Sequence, residues 1–179
     1  MHKGSNEKEC PVEIIINDAV LTEEQLVGLE AIYRFRPNPG NYWYDVVSGL
    51  YGINGYPSAG FMLAGHDLGE IRRDASMGNT GILVNGRELP QIEWILWSRM
   101  VGNPIMPGAY WLDHHGNAGY VGNPYPVINL VMAARQQMMG GGAGGDNIWS
   151  TRFSAGNFSE GNQQGYVSVP GHGPIGYGF

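Results

Sequence analysis

The feature that most restricts the fold is an internal repeat. When the chain is displaced by 68 positions (Ile14 onto Ile82), IIINDAVL (Ile14–Leu21) falls on ILVNGREL (Ile82–Leu89), with Asn17 on Asn85 and Leu21 on Leu89. At the same displacement PGNYWYD (Pro39–Asp45) meets PGAYWLD (Pro107–Asp113). After one deletion near Ser48, Gly49, Gly52, Gly55 and Pro57 meet Gly116, Gly119, Gly122 and Pro124. Ordered agreement of this kind predicts a tandem duplication, with repeats at 12–63 and 81–131 and a connector at 64–80.

Each repeat reads as a β-α-β-β unit. A short apolar strand is followed by Asn-Asp or Asn-Gly, both strong turn formers. A helix comes next. In the first repeat Thr22 and Gln25 have capping-box spacing, and Leu26, Leu29 and Ile32 recur at helical period. In the second, Pro90 suits the first helical position, and Ile92, Ile95, Leu96 and Met100 form the expected apolar face. Pro-Gly then leads into an aromatic strand. Asp45 and Asp113 open tight hairpin turns in which their carboxylates accept backbone N–H groups and Gly49 and Gly116 take positive φ. A single unit has too little sheet to stand alone, so the two are expected to share one pseudo-twofold α+β domain with paired edges. PVINLVMAARQQMM predicts a third helix over 126–139. A polar arm, 1–11, precedes the domain, and a Gly- and aromatic-rich tail, 140–179, follows it.

Composition excludes several functions. The net charge is −6 with only ten basic residues, so no basic stripe is present to follow a phosphate backbone and nucleic acid is not an expected partner. Apolar runs such as VINLVMAA are too short to span a bilayer. MHKGSNEKEC lacks an apolar core, so the reading is cytoplasmic, or exported without a recognisable signal. Cys10 is the one cysteine, which rules out an internal disulfide and a thiolate cluster. No G-x-S-x-G elbow and no G-x-x-x-x-G-K-[ST] phosphate loop occurs, and no cofactor is expected.

The repeat also sorts candidate sites, because features shared by both units serve the fold while features of one unit are free for function. The Tyr-Trp-x-Asp motif reads first as hairpin packing. As a contact surface for a glycan, a peptide or another copy of the chain, the candidates are Trp43, Tyr44, Trp111, Tyr120, Trp94 and Trp97. Trp94 and Trp97 replace Leu26 and Leu29 of the first repeat. His114 and His115 stand where the first repeat has Val46 and Val47, and with His66 they are the weak metal candidates. His66-Asp67, or the His114-His115 pair, would serve a hydrolase. The sequence VNGRELP…PGAYWLDHHGNAGYVGNP resembles that of uncharacterised bacterial proteins with NGREL, PGRYWLD and GNxGYEG elements. Here Ala109 and Val121 replace the Arg and Glu of that pattern, and the resemblance implies no activity. The leading expectation is a non-catalytic structural or self-assembling protein, a homo-oligomer or filament whose low-charge tail and aromatic hairpins make subunit contacts. A carbohydrate- or peptide-binding module is the second expectation and a hydrolase the third.

Overall fold

The computed structural model describes residues 13–139, 165–169 and 172–177. The expected arm at 1–11 and most of the tail lie outside the described residues. Among the described residues the architecture is mixed α+β, with three helices and two five-stranded sheets.

The chain begins with β1 (Ile14–Ile16) and turns through Asn17 and Asp18, at φ 50° and 64°. Two consecutive positive φ values make the turn whose twist suits a two-residue hairpin. The chain therefore returns as β2 (Ala19–Val20), antiparallel to β1, before helix α1 (Glu23–Tyr33). The sequence reading passed directly from turn to helix and lacked this strand. Thr22 caps α1 in a reciprocal capping box with Gln25, as the spacing predicts. The helix crosses back to β3 (Gly40–Tyr44), which pairs parallel to β1 with Ile14 opposite Gly40. Strands β4 (Leu50–Ile53) and β5 (Ser58–Phe61) complete the order β2-β1-β3-β4-β5.

The second half follows the same course. Strands β6 (Ile82–Val84) and β7 (Arg87–Glu88), helix α2 (Gln91–Val101), and strands β8 (Gly108–Leu112), β9 (Asn117–Tyr120) and β10 (Ile128–Asn129) give the order β10-β9-β8-β6-β7. Ile82 lies opposite Gly108, as Ile14 does opposite Gly40. Pro90 is the residue before the first turn of α2 rather than within it. Helix α3 (Leu130–Met139) starts later than the sequence predicts, because Ile128 and Asn129 pair with β9. A separate hairpin, β11 (Gly165–Val169) and β12 (His172–Tyr177), falls in the tail.

Two devices recur in both halves. The turn asparagine clips the end of the third strand. Asn17 Nδ2 donates to Tyr44 O at 2.8 Å and its Oδ1 accepts from Tyr44 N at 2.9 Å; Asn85 makes the same pair of bonds to Leu112 at 2.7 and 3.0 Å. The motif tryptophan lies across a glycine on the neighbouring strand. Trp43 is opposite Gly52 and Trp111 opposite Gly119, and a Cβ on either glycine would sit 2.7 Å from the indole. Each indole N–H is satisfied, by Tyr56 O at 3.0 Å and Asn123 O at 2.7 Å.

The expected edge pairing between halves does not occur: among the described residues no strand of one sheet joins the other. Instead, one face of the first sheet closes on α1 through Ile14, Ile16, Leu26, Leu29, Tyr33, Tyr44 and Tyr51. Its opposite face delivers Trp43 and Leu50 into the core of the second half, with Ile82, Leu89, Trp97, Met100, Leu112 and Val131. The contacts run one way. Trp43 reaches Arg87, and Asp45 accepts a hydrogen bond from Asn85 at 2.7 Å. Asp45 also accepts Val47 N within its own turn, as Asp113 accepts the N–H groups of His115 and Asn117.

Candidate functional site

Two places in the second half stand apart from the shared scaffold. The first is a buried ion pair at the junction of the halves. Arg87, on β7, and Glu93, in the first turn of α2, are each 2% exposed. Arg87 grips the carboxylate with both terminal nitrogens, at 2.9 and 2.8 Å, and Nη1 also donates to Ser76 Oγ at 2.8 Å. Ser58, on β5 of the first half, donates its hydroxyl to Glu93 at 2.7 Å. The guanidinium carbon lies 4.2 Å from the Trp43 ring centroid, within cation–π range. Burial resists the charge on Glu93, but Arg87 and Ser58 outweigh it and hold the carboxyl below its ordinary value. Ser58 and Trp43 of the first half thus meet Arg87 and Glu93 of the second, and the network acts as a joint.

The second place is a cavity of about 370 Å³ between the α2 side of the second sheet and the 103–106 loop. Its walls include Ile82, Trp97, Val101, Tyr110, Leu112 and Ala118, and Met106, Tyr120 and Val127 stand exposed at its rim. No charged side chain lines it. The loop is pinned where Trp94 Nε1 donates to Ile105 O at 2.9 Å and Ile105 N donates to Ser98 Oγ at 3.0 Å. Tyr110 donates its hydroxyl to Met106 O at 2.8 Å, and burial raises its pKa. Its ring leans on Tyr120, centroids 5.1 Å apart.

The six aromatic contact candidates do not share one surface. Trp43 and Tyr44 are each 1% exposed, so their rings lie inside the fold. Tyr44 donates to Leu63 O at 2.6 Å, and burial pushes its phenol up to about 12. Trp97 is core, Trp94 and Trp111 are half-buried, and Tyr120 is exposed at the cavity mouth. Trp97, Trp111 and Tyr120 all line the cavity, which brings three of the six together. The apolar face expected for α2 is different in the structure. Ile92, Ile95 and Leu96 face outward, while Glu93, Trp97 and Met100 are buried.

His66 turns to Tyr33, whose hydroxyl is 2.6 Å from Nε2; that hydroxyl also accepts Leu63 N. Asp67 takes part through its carbonyl, which accepts Gln25 Nε2 at 3.3 Å. His114 and His115 lie side by side in an exposed turn, ring centroids 3.9 Å apart. Among the described residues no three His, Cys, Asp or Glu side chains converge to hold a metal ion. The connector is pinned by Arg72 to Asp18 and Asp74, and by Arg73 to Glu88.

Burial lowers the His66 pKa below its ordinary 6.5, so the fold accepts the neutral imidazole. The stability this residue supports is full above the unfolded value and is lost as pH falls from about 6.5 through the folded one. Urea midpoints are expected to decline as pH falls from about 7.5 through the ordinary histidine value, and His66→Phe is expected to flatten that slope. Parallel slopes for the two proteins would contradict this.

Comparison with known proteins finds segments similar to this chain within longer proteins. Over 128 residues the chain is 31% identical to the extra-large guanine nucleotide-binding protein 2 of Arabidopsis thaliana, covering 65% of this chain and 14% of that protein. The extra-large guanine nucleotide-binding protein 1 of the same plant is 32% identical over 117 residues, 61% of this chain and 13% of that one. The chain thus spans about a seventh of the length of these curated relatives. No family model and no solved structure matches it. Among the described residues, no helix is long and apolar enough to cross a membrane.

Proposed function

We propose that this chain is a non-catalytic contact module, built by duplication of one structural unit, that assembles with further copies of itself through its second half. The observation that carries this reading is the outer face of α2. Ile92, Ile95 and Leu96 stand there 59%, 37% and 41% exposed, on the helix that anchors the joint between halves. Apolar side chains grouped on one rigid helix face favour burial against a partner. Charged residues make up only 15% of the chain, so few charges oppose burial of this face against a second copy. Of the glycine- and aromatic-rich tail, the structure describes the hairpin β11–β12, which lies against β5 and α1 of the same chain, and the rest falls outside the described residues.

A segment matching this chain occupies a small part of much larger proteins, as an accessory module would. Nucleotide binding belongs to the description of those proteins. This chain has no G-x-x-x-x-G-K-[ST] segment to cradle phosphates, so the role proposed for it is contact alone. Light scattering across a concentration series tests the proposal. The unmodified chain is expected to gain mass with concentration, and the Ile92→Glu/Leu96→Glu variant to remain monomeric with unchanged circular dichroism. A strict monomer throughout would overturn the proposal.

A further inference from the structure

We infer that the cavity in the second half is a binding site for a small, uncharged, ring-containing apolar molecule. The two halves supply the comparison that supports this. In the first half the space between sheet and helix is filled by three phenol rings, Tyr33, Tyr44 and Tyr51, exposed by 4%, 1% and 4%. The strand register identifies their counterparts. Tyr44 faces Tyr51 across β3 and β4, and Leu112 faces Ala118 across β8 and β9. Tyr33 ends α1 as Val101 ends α2. Valine, leucine and alanine thus replace three tyrosines, and all three line the cavity. The indole of Trp97, where the first half has Leu29, restores only part of the lost volume.

An apolar recess of this size forgoes the contacts that a filled space would make. The second half nevertheless holds its cavity open. The loop over it is pinned by Trp94 and Ser98, so that wall is held in place. About 370 Å³ falls within the roughly 300–1,000 Å³ of small-ligand pockets. With no charged group in the lining, an ionic ligand would lose its hydration without compensation. A sugar would leave most of its hydroxyls unpaired for the same reason. A flat apolar ring system between Trp97 and the Tyr110–Tyr120 pair replaces the tyrosine rings in kind, with the phenols and Asn103 available for one or two hydrogen bonds.

The test uses the full chain and the neutral fluorophore N-phenyl-1-naphthylamine. Saturable binding with one site per chain is expected. Ala118→Tyr, which installs the ring of the first half, is expected to weaken that binding at least tenfold while the melting temperature stays equal or rises. Ala109→Tyr, on the exposed side of β8, is expected to leave binding unchanged. If Ala118→Tyr fails to fold, Val101→Tyr fills the same space and decides the matter. Absence of saturable binding to the unmodified chain, or undiminished binding in the folded cavity-filling variant, would overturn the inference. The self-assembly reading stands or falls separately, because the probe titration is read on a chain whose mass is known.

Discussion

Replacing Glu93 with alanine is expected to destabilise the protein by ~3–5 kcal/mol, because it strands the Arg87 guanidinium in the core. Arg87 keeps only Ser76 and the face of Trp43 after the substitution, and neither balances its charge. Glu93→Gln is expected to cost less, since an amide oxygen still accepts from Arg87 and Ser58. The double variant Arg87→Met/Glu93→Leu is expected to recover most of the loss, as apolar replacements of buried ion pairs do. The sign of the pH effect follows. The depressed Glu93 pKa contributes stability that is present above the ordinary 4.5 and is lost as pH falls through the lower folded value. The Arg87→Met/Glu93→Leu protein should therefore resist acid better than the parent. Urea denaturation at neutral and acidic pH measures both effects, and a Glu93→Ala variant as stable as the parent would contradict the assignment of a buried, functioning pair.

Trp43→Ala is expected to cost a similar ~3–5 kcal/mol, since a large ring is removed from a space that cannot collapse. Trp43 spans the junction. It lies across Gly52 on its own sheet, donates to Tyr56 O, and supports Arg87 of the second half. Trp111 occupies the same motif position and makes the same glycine and carbonyl contacts, yet it is half-buried and supports no counterpart of Arg87. Trp111→Ala is therefore expected to cost clearly less. Equal losses in calorimetric scans of the two variants would mean that Trp43 contributes nothing across the junction.

Features set by local chemistry were legible in the sequence. Thr22 and Gln25 announce their capping box three residues apart, Asn17-Asp18 and Asn85-Gly86 announce tight turns, and Asp45 and Asp113 announce hairpins whose N–H groups they accept. Features set by distant partners were not. Ile92, Ile95 and Leu96 have the period of a buried face, but α2 lies on its sheet as α1 does, where the equivalent Glu24, Val27 and Gly28 are also exposed, so they point outward. The repeat suggested twofold pairing of edges, whereas the sheets stay apart and Trp43 crosses in one direction only. Arg87 and Glu93 themselves carry a signal in the sequence. They stand where the first half has Ala19 and Gln25, two charged residues gained in a chain that has few. The cavity had its own signal in Val101 and Ala118, which align with Tyr33 and Tyr51. Neither signal reveals burial, which depends on how the halves meet.

The central functional claim is that the second half presents the contact surface. Hydrogen exchange read by mass spectrometry at low and high protein concentration tests it most directly. The account predicts added protection at high concentration in peptides covering α2, residues 91–101, with none in peptides covering α1, residues 23–33, whose outer face carries Glu23, Glu24 and Glu30. Exchange that is independent of concentration in α2, or protection gained first in α1, would contradict it.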